Sequence, residues 1–276
     1  MIGPEKKPLR IAILDLNQGM PNQGMRCIRE IISQWKKRSG EPVESQEFDV
    51  RVKNELPDTS FDIYISSGGP GDPISSRYED WDIKWNQWLK DMIQWNENPF
   101  NEKKKNIFFI CHSFQLASRH FNAGILTKRR STAFGVFPVH MIEPGKAEKV
   151  FNGLRDPFYA VDSRDYQLIR PNHDLLKKMG ASILCIEKER RHVPYERAVM
   201  GIRFNDYMIG TQFHPEADPA GMTQHLQSGE KKDIVITNYG EEKYYDMLDS
   251  LNDPDKIMRT HSQILFNFLN LSASAA

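Results

Sequence analysis

A cysteine at the junction of two predicted elements is the first residue in this sequence that could do chemistry. Cys111 directly follows the apolar run at 106–110 and directly precedes an amphipathic pattern. A side chain between a buried strand and a helix lies at the carboxyl edge of a parallel sheet, where ligands of open α/β sheets bind. The helix dipole there favours thiolate over thiol. The position indicates a nucleophile, and the alternative is a buried structural cysteine, which the segment ILCIE predicts for Cys185.

A second motif supplies the base that a cysteine nucleophile needs. The segment IGTQFHPEAD at 209–218 ends an apolar strand and continues into His214-Pro215-Glu216. Residues two apart in an extended chain point to the same side. Glu216 could therefore accept a hydrogen bond from one imidazole nitrogen of His214 while the other nitrogen faces a thiol. Such pairs are common on protein surfaces, and this one becomes informative only together with Cys111.

A glycine-rich loop, SSGGPGDP at 66–73, follows another apolar strand. Consecutive glycines let backbone N–H groups approach a ligand without an intervening Cβ. No Gly-Lys-Ser/Thr follows and no GxGxxG opens a helix, so a nucleotide loop is not expected. Two interpretations remain. The loop is either a simple turn or an oxyanion hole in which the N–H groups of Gly69 and His112 stabilise negative charge.

The elements that must position these residues are predicted by hydrophobic periodicity. Strand-like runs lie at 10–16, 46–52, 61–67 and 106–110, with helical patterns between and after them at 22–38, 80–97 and 113–121. This alternation predicts a mostly parallel sheet with helices on both faces. From about residue 131 strand-like segments dominate, with one clear helix at 172–179, and they predict an antiparallel or mixed extension of the same sheet. Beyond Pro219 the chain is predicted to be helical.

The helical pattern at 80–97 carries a stripe of tryptophans, which we expect to pack in the core or an interface. No linker, repeat or low-complexity tract divides the chain. We therefore expect a single domain over 1–276, with a core at about 10–222 and a C-terminal helical extension at about 223–276. Neither the stripe nor the segment 223–253 specifies an oligomeric state.

The composition disfavours several kinds of partner. The 37 Lys and Arg residues balance 37 Asp and Glu residues, which favours neither nucleic acid nor an anionic membrane. No run of about 18 apolar residues could cross a membrane. Three widely spaced cysteines form neither a zinc pattern nor a disulfide framework, which favours a reducing, cytoplasmic setting. The eight histidines show no HExxH motif, so neither a metal nor a cofactor is expected.

In their order along the chain, the three motifs resemble those of class I glutamine amidotransferases. The resemblance covers about 10–222 and rests on Ser67-Gly68-Gly69-Pro70-Gly71, Ile110-Cys111-x-x-x-Gln115 and Gly210-x-Gln212-Phe213-His214-Pro215-Glu216. It implies a flavodoxin-like sheet and a triad of Cys111, His214 and Glu216. It also implies an oxyanion hole from the amides of Gly69 and His112, with Gly68 and Gln115 at the substrate. The implied reaction is attack on the glutamine amide, formation of a γ-glutamyl thioester, release of ammonia and hydrolysis.

The sequence departs from the family pattern at two places. The family elbow usually reads Gly-x-Cys-x-Gly-x-Gln, whereas Phe109 and Ser113 replace the glycines here. We expect Phe109 to add bulk beneath the turn and Ser113 to place a side chain where the substrate or the neighbouring backbone would normally come close. A Ser-x-His-like motif often precedes the triad histidine, but this chain reads VDSRDYQ at 161–167, with Arg164 or Asp165 in place of the histidine.

Two of these residues, Ser163 and Arg164, are predicted substrate contacts. Arg164 would bind a carboxylate through two hydrogen bonds, and the alternative is an ordinary surface arginine.

Three hypotheses on function follow. The first is hydrolysis of glutamine or another γ-glutamyl compound. The chain contains no recognisable synthase, so either a separate synthase accepts the ammonia or the enzyme acts alone. The second is acyl transfer by the same triad, as in homoserine O-acyltransferases, with Lys128–Arg130 as a basic pocket for a CoA-type donor. The third is a non-catalytic regulatory relative with a vestigial triad.

Overall fold

The structure is a computed structural model that describes residues 7–189, 196–253 and 256–275. Within these residues the strands are β1 (Leu9–Asp15), β2 (Val43–Asp49), β3 (Ile63–Ser66), β4 (Asn106–Ile110), β5 (Ile125–Met141), β6 (Phe158–Ile169), β7 (Ser182–Glu187), β8 (Val199–Asn205) and β9 (Met208–Thr211). The α-helices are α1 (Gln23–Ser39), α2 (Asp80–Glu97), α3 (His112–His120), α4 (Glu143–Lys146), α5 (His173–Lys178), α6 (Pro219–Gln227), α7 (Gly229–Tyr239), α8 (Glu241–Asn252) and α9 (Ile257–Ser274).

The strands form one sheet in the order β2-β1-β3-β4-β9-β8-β6-β5-β7. The first five strands of this order are parallel. The remaining four pair antiparallel, and β7 also pairs with β8. These four strands therefore close on themselves like a barrel. The predicted α/β class is confirmed, and antiparallel strands extend the same sheet as predicted, but their closure into a barrel-like arrangement was not predicted.

The long β5–β6 hairpin accounts for the closure of the antiparallel part. Its register shifts between Lys128 and Ala133, and Gly135 adopts a φ of 138°. An irregularity of this kind bends a strand and increases its twist. The bend brings β7, which pairs with the end of β5, back to β8. Periodicity along a single strand contains no information on such a bend, so the sequence did not predict it.

Alternating residues of the parallel strands face two different helix layers. On β1, Ile11 and Ile13 pack in the cluster that includes the buried faces of α1 and α9. Ala12 and Leu14 pack in the cluster that includes α2 and α3. The predicted covering of both faces is therefore present in the parallel half. The tryptophan stripe of α2 lies largely within the second cluster, as predicted, with Trp81, Trp85 and Trp88 buried.

One strand is displaced from its predicted position. The sequence predicts a strand at 46–52, but β2 spans Val43–Asp49. After Asp49 the chain turns, because the Asp49 carboxylate accepts a hydrogen bond from the Val52 N–H at 3.0 Å. The apolar Phe48, Val50 and Val52 extended the predicted strand into this turn. β2 is the first strand of the sheet order and is largely exposed, so its apolar pattern is weak.

Helices α6, α7 and α8 pack over the β5–β6 hairpin. Their apolar residues form a third cluster with the hairpin and with Ile257 at the start of α9; the cluster includes Val161, Leu226, Val235, Tyr244, Met247 and Leu251. The later turns of α9 pack against the parallel strands, and the Phe268 ring lies 5.2 Å from that of Phe108. None of the helices in the described residues combines the length and apolar character needed to cross a membrane.

Candidate active site

Cys111 lies in the turn between β4 and α3, as the sequence predicts. Its N–H donates to the Thr211 carbonyl of the neighbouring strand at 2.8 Å, and its carbonyl accepts from the Gln115 N–H at 3.0 Å. These bonds accompany backbone angles of φ 48° and ψ −98° at a residue that is not glycine. Such strain is characteristic of a nucleophile elbow. The thiol lines a cavity of about 550 Å³.

His214 faces the thiol from the other side of the cavity. Its backbone N–H donates to the Val161 carbonyl of β6 at 2.9 Å. Its Nδ1 lies 2.8 Å from Oε1 of Glu216, and its imidazole lines the same cavity as Cys111. Burial lowers the pKa of His214, but the nearby charges of Glu216 and Cys111 outweigh burial and raise this pKa well above its usual value. The structure thus brings the predicted nucleophile, base and carboxylate together.

The glycine loop approaches both of these side chains closely. A Cβ on Gly68 would lie 2.8 Å from Cε1 of His214 and 3.4 Å from Cβ of Cys111. A Cβ on Gly69 would lie only 2.3 Å from the Leu16 carbonyl oxygen. Both positions therefore require glycine for steric reasons. Gly69 and His112 also line the cavity beside Cys111, where their amides were predicted.

His112 itself is buried beneath the elbow. Its ring centroid lies 6.1 Å from that of Trp81, and its Nε2 has no hydrogen-bond partner within the described residues. Burial, with smaller effects from the charges of Arg51 and Arg119, lowers the pKa of His112 to about 3. The imidazole is therefore neutral near pH 7 and does not compete with His214 as a charged group.

Phe109 fits beneath the elbow because its neighbour is small. Its ring lies 5.9 Å from the ring of Trp85 and 6.0 Å from that of Phe204. A Cβ on Gly210 of β9 would lie 3.0 Å from Cβ of Phe109. The bulk that the sequence predicts is therefore present, and the space for it is provided by the glycine on the adjacent strand.

Ser113 does not line the cavity, and its side chain instead contacts the neighbouring backbone, which is one of the two expected possibilities. Its Oγ lies 2.8 Å from Oγ of Ser66 and hydrogen-bonds to the Ser67 carbonyl oxygen. The side chain is fully buried and is directed towards β3. The hydroxyl therefore connects the first turn of α3 to the strand that precedes the glycine loop.

Gln115 lines the cavity, but its amide is already engaged within the chain. Its Nε2 donates to Oε1 of Gln212 at 3.1 Å. Nε2 of Gln212 lies in turn 3.7 Å from the sulfur of Cys111. The sequence contained Gln212 within the matched motif but carried no signal for this contact, because it joins two elements 101 residues apart.

Successive side chains of β6 point to opposite faces, so the predicted substrate contacts on this strand differ in exposure. Ser163 and Asp165 are exposed and line the cavity. The Ser163 carbonyl accepts a hydrogen bond from the Cys111 thiol at 3.6 Å. Arg164 is buried, with its Nε 2.9 and 3.0 Å from the two oxygens of Asp162 and its Nη2 3.3 Å from Glu187. Its guanidinium is thus paired within the chain, but Arg164 also lines the cavity, so its role as a substrate contact stays a prediction.

The described residues bear on two other kinds of site, a basic pocket for a CoA-type donor and a metal site. No residue of Lys128–Arg130, all of which the structure describes, lines the Cys111 cavity, and Arg129 pairs with Glu187 at 3.2 Å. Within the described residues, no group of three or more His, Cys, Asp or Glu side chains is arranged to bind a metal ion.

Comparisons with known proteins bear on the family of this chain. The family model "Glutamine amidotransferase class-I" matches residues 26–230. No curated protein gives a significant match. A glutamine amidotransferase (tm1158) from Thermotoga maritima has a similar fold, with a TM-score of 0.68 and 13% identity, over 97% of this chain and 99% of that one. The crystal structure of SMU.1228c has a TM-score of 0.67 and 18% identity, over 96% and 99% of the two chains.

A third similar fold is the glutaminase domain of Trypanosoma brucei CTPS with bound acivicin. Its TM-score is 0.56 at 12% identity, and the alignment covers 96% of this chain and 94% of that one. These identities establish a shared fold only. The family model, in contrast, matches most of the sequence and includes both the Cys111 and the His214 motifs. The chain therefore belongs to the class I glutamine amidotransferase family.

Proposed function

We propose that this chain hydrolyses a γ-glutamyl amide, glutamine in the first instance, through a covalent thioester on Cys111. The observation that carries the proposal is that His214 pairs with the Glu216 carboxylate and lines the same cavity as Cys111. A thiol beside an imidazole that is paired in turn with a carboxylate is the arrangement required for nucleophilic catalysis at a carbonyl. The raised pKa of His214 supports a protonated imidazole beside Cys111.

The first half-reaction is acylation. The Cys111 thiolate attacks the γ-carbonyl carbon, an S–C bond forms, and the carbonyl oxygen becomes negatively charged. The amides of Gly69 and His112 are the proposed donors to this oxygen. His214 then transfers its proton to the leaving nitrogen, the C–N bond breaks, and ammonia departs. Glu216 orients the imidazole and stabilises its charge throughout.

The second half-reaction is hydrolysis. A water molecule loses a proton to the neutral His214 and attacks the thioester carbon. The same two amides stabilise the second oxyanion. The S–C bond breaks, glutamate leaves, and the thiolate–imidazolium pair of Cys111 and His214 is restored. No oxidant or reductant is required, and the atoms balance with one water consumed.

The volume and the lining residues of the cavity are the basis for the proposed substrate. A volume of about 550 Å³ is in the range of small-molecule sites and leaves room beyond the γ-glutamyl group. Ser163 and Asp165 on the wall are the proposed contacts for the substrate. Gln115 also lines the cavity, and Gly68 lies beside Cys111 and His214. The extra volume favours, as a second candidate, a γ-glutamyl compound with a larger leaving amine.

We also propose a fold type, a domain organisation, a cellular setting and a partner for this chain. The order β2-β1-β3-β4-β9 of the parallel strands supports a flavodoxin-like core. We take the chain as one domain with a helical extension, in a cytoplasmic setting that suits three free cysteines. Two of the similar folds are described as part of a putative GMP synthase from Thermoplasma acidophilum and as a CTPS glutaminase domain. They support a separate ammonia-accepting synthase as partner.

The proposal is tested by covalent labelling. The whole protein is incubated with a diazo-ketone analogue of glutamine, and its intact mass and peptide map are measured. We expect one adduct on Cys111, blocked by excess glutamine and absent in Cys111→Ser. Cys185 is an internal control, because its burial raises its pKa well above the usual value. An unlabelled Cys111 that still reacts with iodoacetamide would refute a glutamine site.

A further inference from the structure

The first turns of helix α9 contact the segments on which the proposed triad rests. Thr260 Oγ1 donates to the Tyr159 carbonyl of β6 at 2.5 Å. The next residue, His261, donates from Nδ1 to the carbonyl oxygen of Glu216 at 2.8 Å. The two neighbouring side chains therefore bond to two different parts of the chain. Only His261 of this pair contacts the segment that contains Glu216.

The carbonyl that His261 contacts lies in a segment without regular structure. Between the end of β9 at Thr211 and the start of α6 at Pro219, neither helix nor strand fixes the backbone. The Glu216 side chain is nevertheless buried, and its Oε1 lies 2.8 Å from Nδ1 of His214. A backbone shift at Glu216 would move this carboxylate directly. The bond from His261 holds this backbone from outside the segment.

The contact also defines the tautomer of His261. A carbonyl oxygen only accepts, so Nδ1 of His261 must carry the proton. The side chain is 9% exposed. The nearby Asp218 carboxylate pairs with Arg26 at 2.7 Å. Neutral His261 with a protonated Nδ1 is sufficient for the bond.

We propose that His261 is a positioning residue that fixes the backbone of Glu216, and through it the orientation of the His214 imidazole. The inference rests on the proposed role of Glu216 in the triad. It assigns the C-terminal helix a part in the reaction, since α9 supplies a hydrogen bond one step removed from the base. His261 itself does not touch the substrate.

The test uses two amides that differ in reach. In His261→Asn, the side-chain amide nitrogen occupies nearly the place of the imidazole Nδ1 and can still donate to the Glu216 carbonyl. In His261→Gln, the amide lies one methylene further out, near the place of Nε2, and cannot make the same bond. Thr260→Val is the matched control, because it removes the adjacent hydrogen bond to Tyr159 without touching Glu216.

The measurements are glutamate release and the rate of Cys111 labelling by the diazo-ketone analogue, each as a function of pH. We expect His261→Gln to lower kcat by roughly 10- to 100-fold, the effect of misplacing a catalytic group by an ångström or less. KM should change little, and the pH profile should shift because the His214–Glu216 contact weakens. His261→Asn should retain most of the wild-type rate, and Thr260→Val should keep the wild-type pH profile.

Two results would overturn the inference. One is equal activity and an unchanged pH profile in wild type and His261→Gln. The other is a loss of kcat in His261→Asn, His261→Gln and Thr260→Val alike that simply follows the fall in melting temperature of each variant. Such a result would indicate a purely structural role. Failure of the proposed function is recognised separately, because wild-type Cys111 would then remain unlabelled by the analogue.

Discussion

Gly69→Ala is the substitution that most directly tests the proposed oxyanion hole. A Cβ at this position would lie 2.3 Å from the Leu16 carbonyl oxygen, whereas ordinary van der Waals contact begins at 3.4 Å. The difference between 3.4 and 2.3 Å is 1.1 Å, and one of the two partners must move by about this distance. Gly69 has no positive φ, so the clash alone accounts for the expected effect.

The loop is the partner that must move. Leu16 is fully buried, and its N–H donates to the Ser67 hydroxyl at 3.0 Å. Its carbonyl oxygen accepts a hydrogen bond from Arg51 at 3.3 Å, and the same guanidinium nitrogen bonds to the Pro70 carbonyl. Leu16 is therefore fixed from both sides, and the displacement falls on the backbone of Gly69, which would carry its N–H away from the oxyanion.

The size of the effect follows from this displacement. Removing one oxyanion donor costs about 10²- to 10³-fold in kcat, or roughly 3–4 kcal/mol in activation free energy. A misplacement near 1 Å has a similar cost. We therefore expect kcat for glutamate release from glutamine to fall by roughly 10²- to 10³-fold, while KM changes less because the donor acts mainly in the transition state.

The assay compares kcat, KM and urea denaturation for wild type, Gly69→Ala and Gly229→Ala. Gly229 is the control, because a Cβ there meets no atom within 4 Å and its φ is not positive. We expect Gly229→Ala to retain wild-type kcat. A Gly69→Ala protein that is folded and as active as wild type would refute the assignment of the Gly69 amide as an oxyanion donor.

Three further predictions concern stability. Folding raises the pKa of His214, so its protonation contributes to the free energy of unfolding. This contribution is complete below the unfolded pKa of about 6.5 and is lost as pH rises through the folded pKa. The gap in unfolding free energy between wild type and His214→Gln should therefore narrow with rising pH in urea titrations. Arg164→Leu leaves Asp162 buried without its partner, and should cost about 3–5 kcal/mol by the same assay. Ser113→Gly removes the bond to Ser67 and should lower unfolding free energy by about 1–2 kcal/mol, whereas an unchanged midpoint would contradict that contact.

Local patterns were sufficient to predict the parts of the site that depend on neighbouring residues. Cys111 was expected between strand and helix, and His214 and Glu216 on one side of an extended segment. Both expectations are local, since each concerns residues within one turn or one short strand. The structure brings these residues together as the sequence predicts, while their catalytic roles stay predictions.

Contacts between distant segments were not accessible from the sequence. The pairing of Arg164 with Glu187 joins β6 to β7, and periodicity along β6 does not indicate which charge lies opposite. The direction of Ser113 depends on the hydroxyl of Ser66, which is 47 residues away. The contact of His261 with Glu216 spans 45 residues. Each requires the register of the whole sheet, which a single sequence does not specify.

The closure of β7 onto β8 also affects how this molecule behaves among copies of itself. A sheet normally ends in two rows of unpaired N–H and C=O groups, which can recruit strands from other chains. Here β7 is paired on both sides, with β5 and with β8, so the outer strand at the open end of the sheet is β2. Its sequence, VESQEFD, carries three acidic residues and is mostly exposed. Charged, exposed edges resist strand addition, so we expect no strand addition at the β2 edge at high protein concentration.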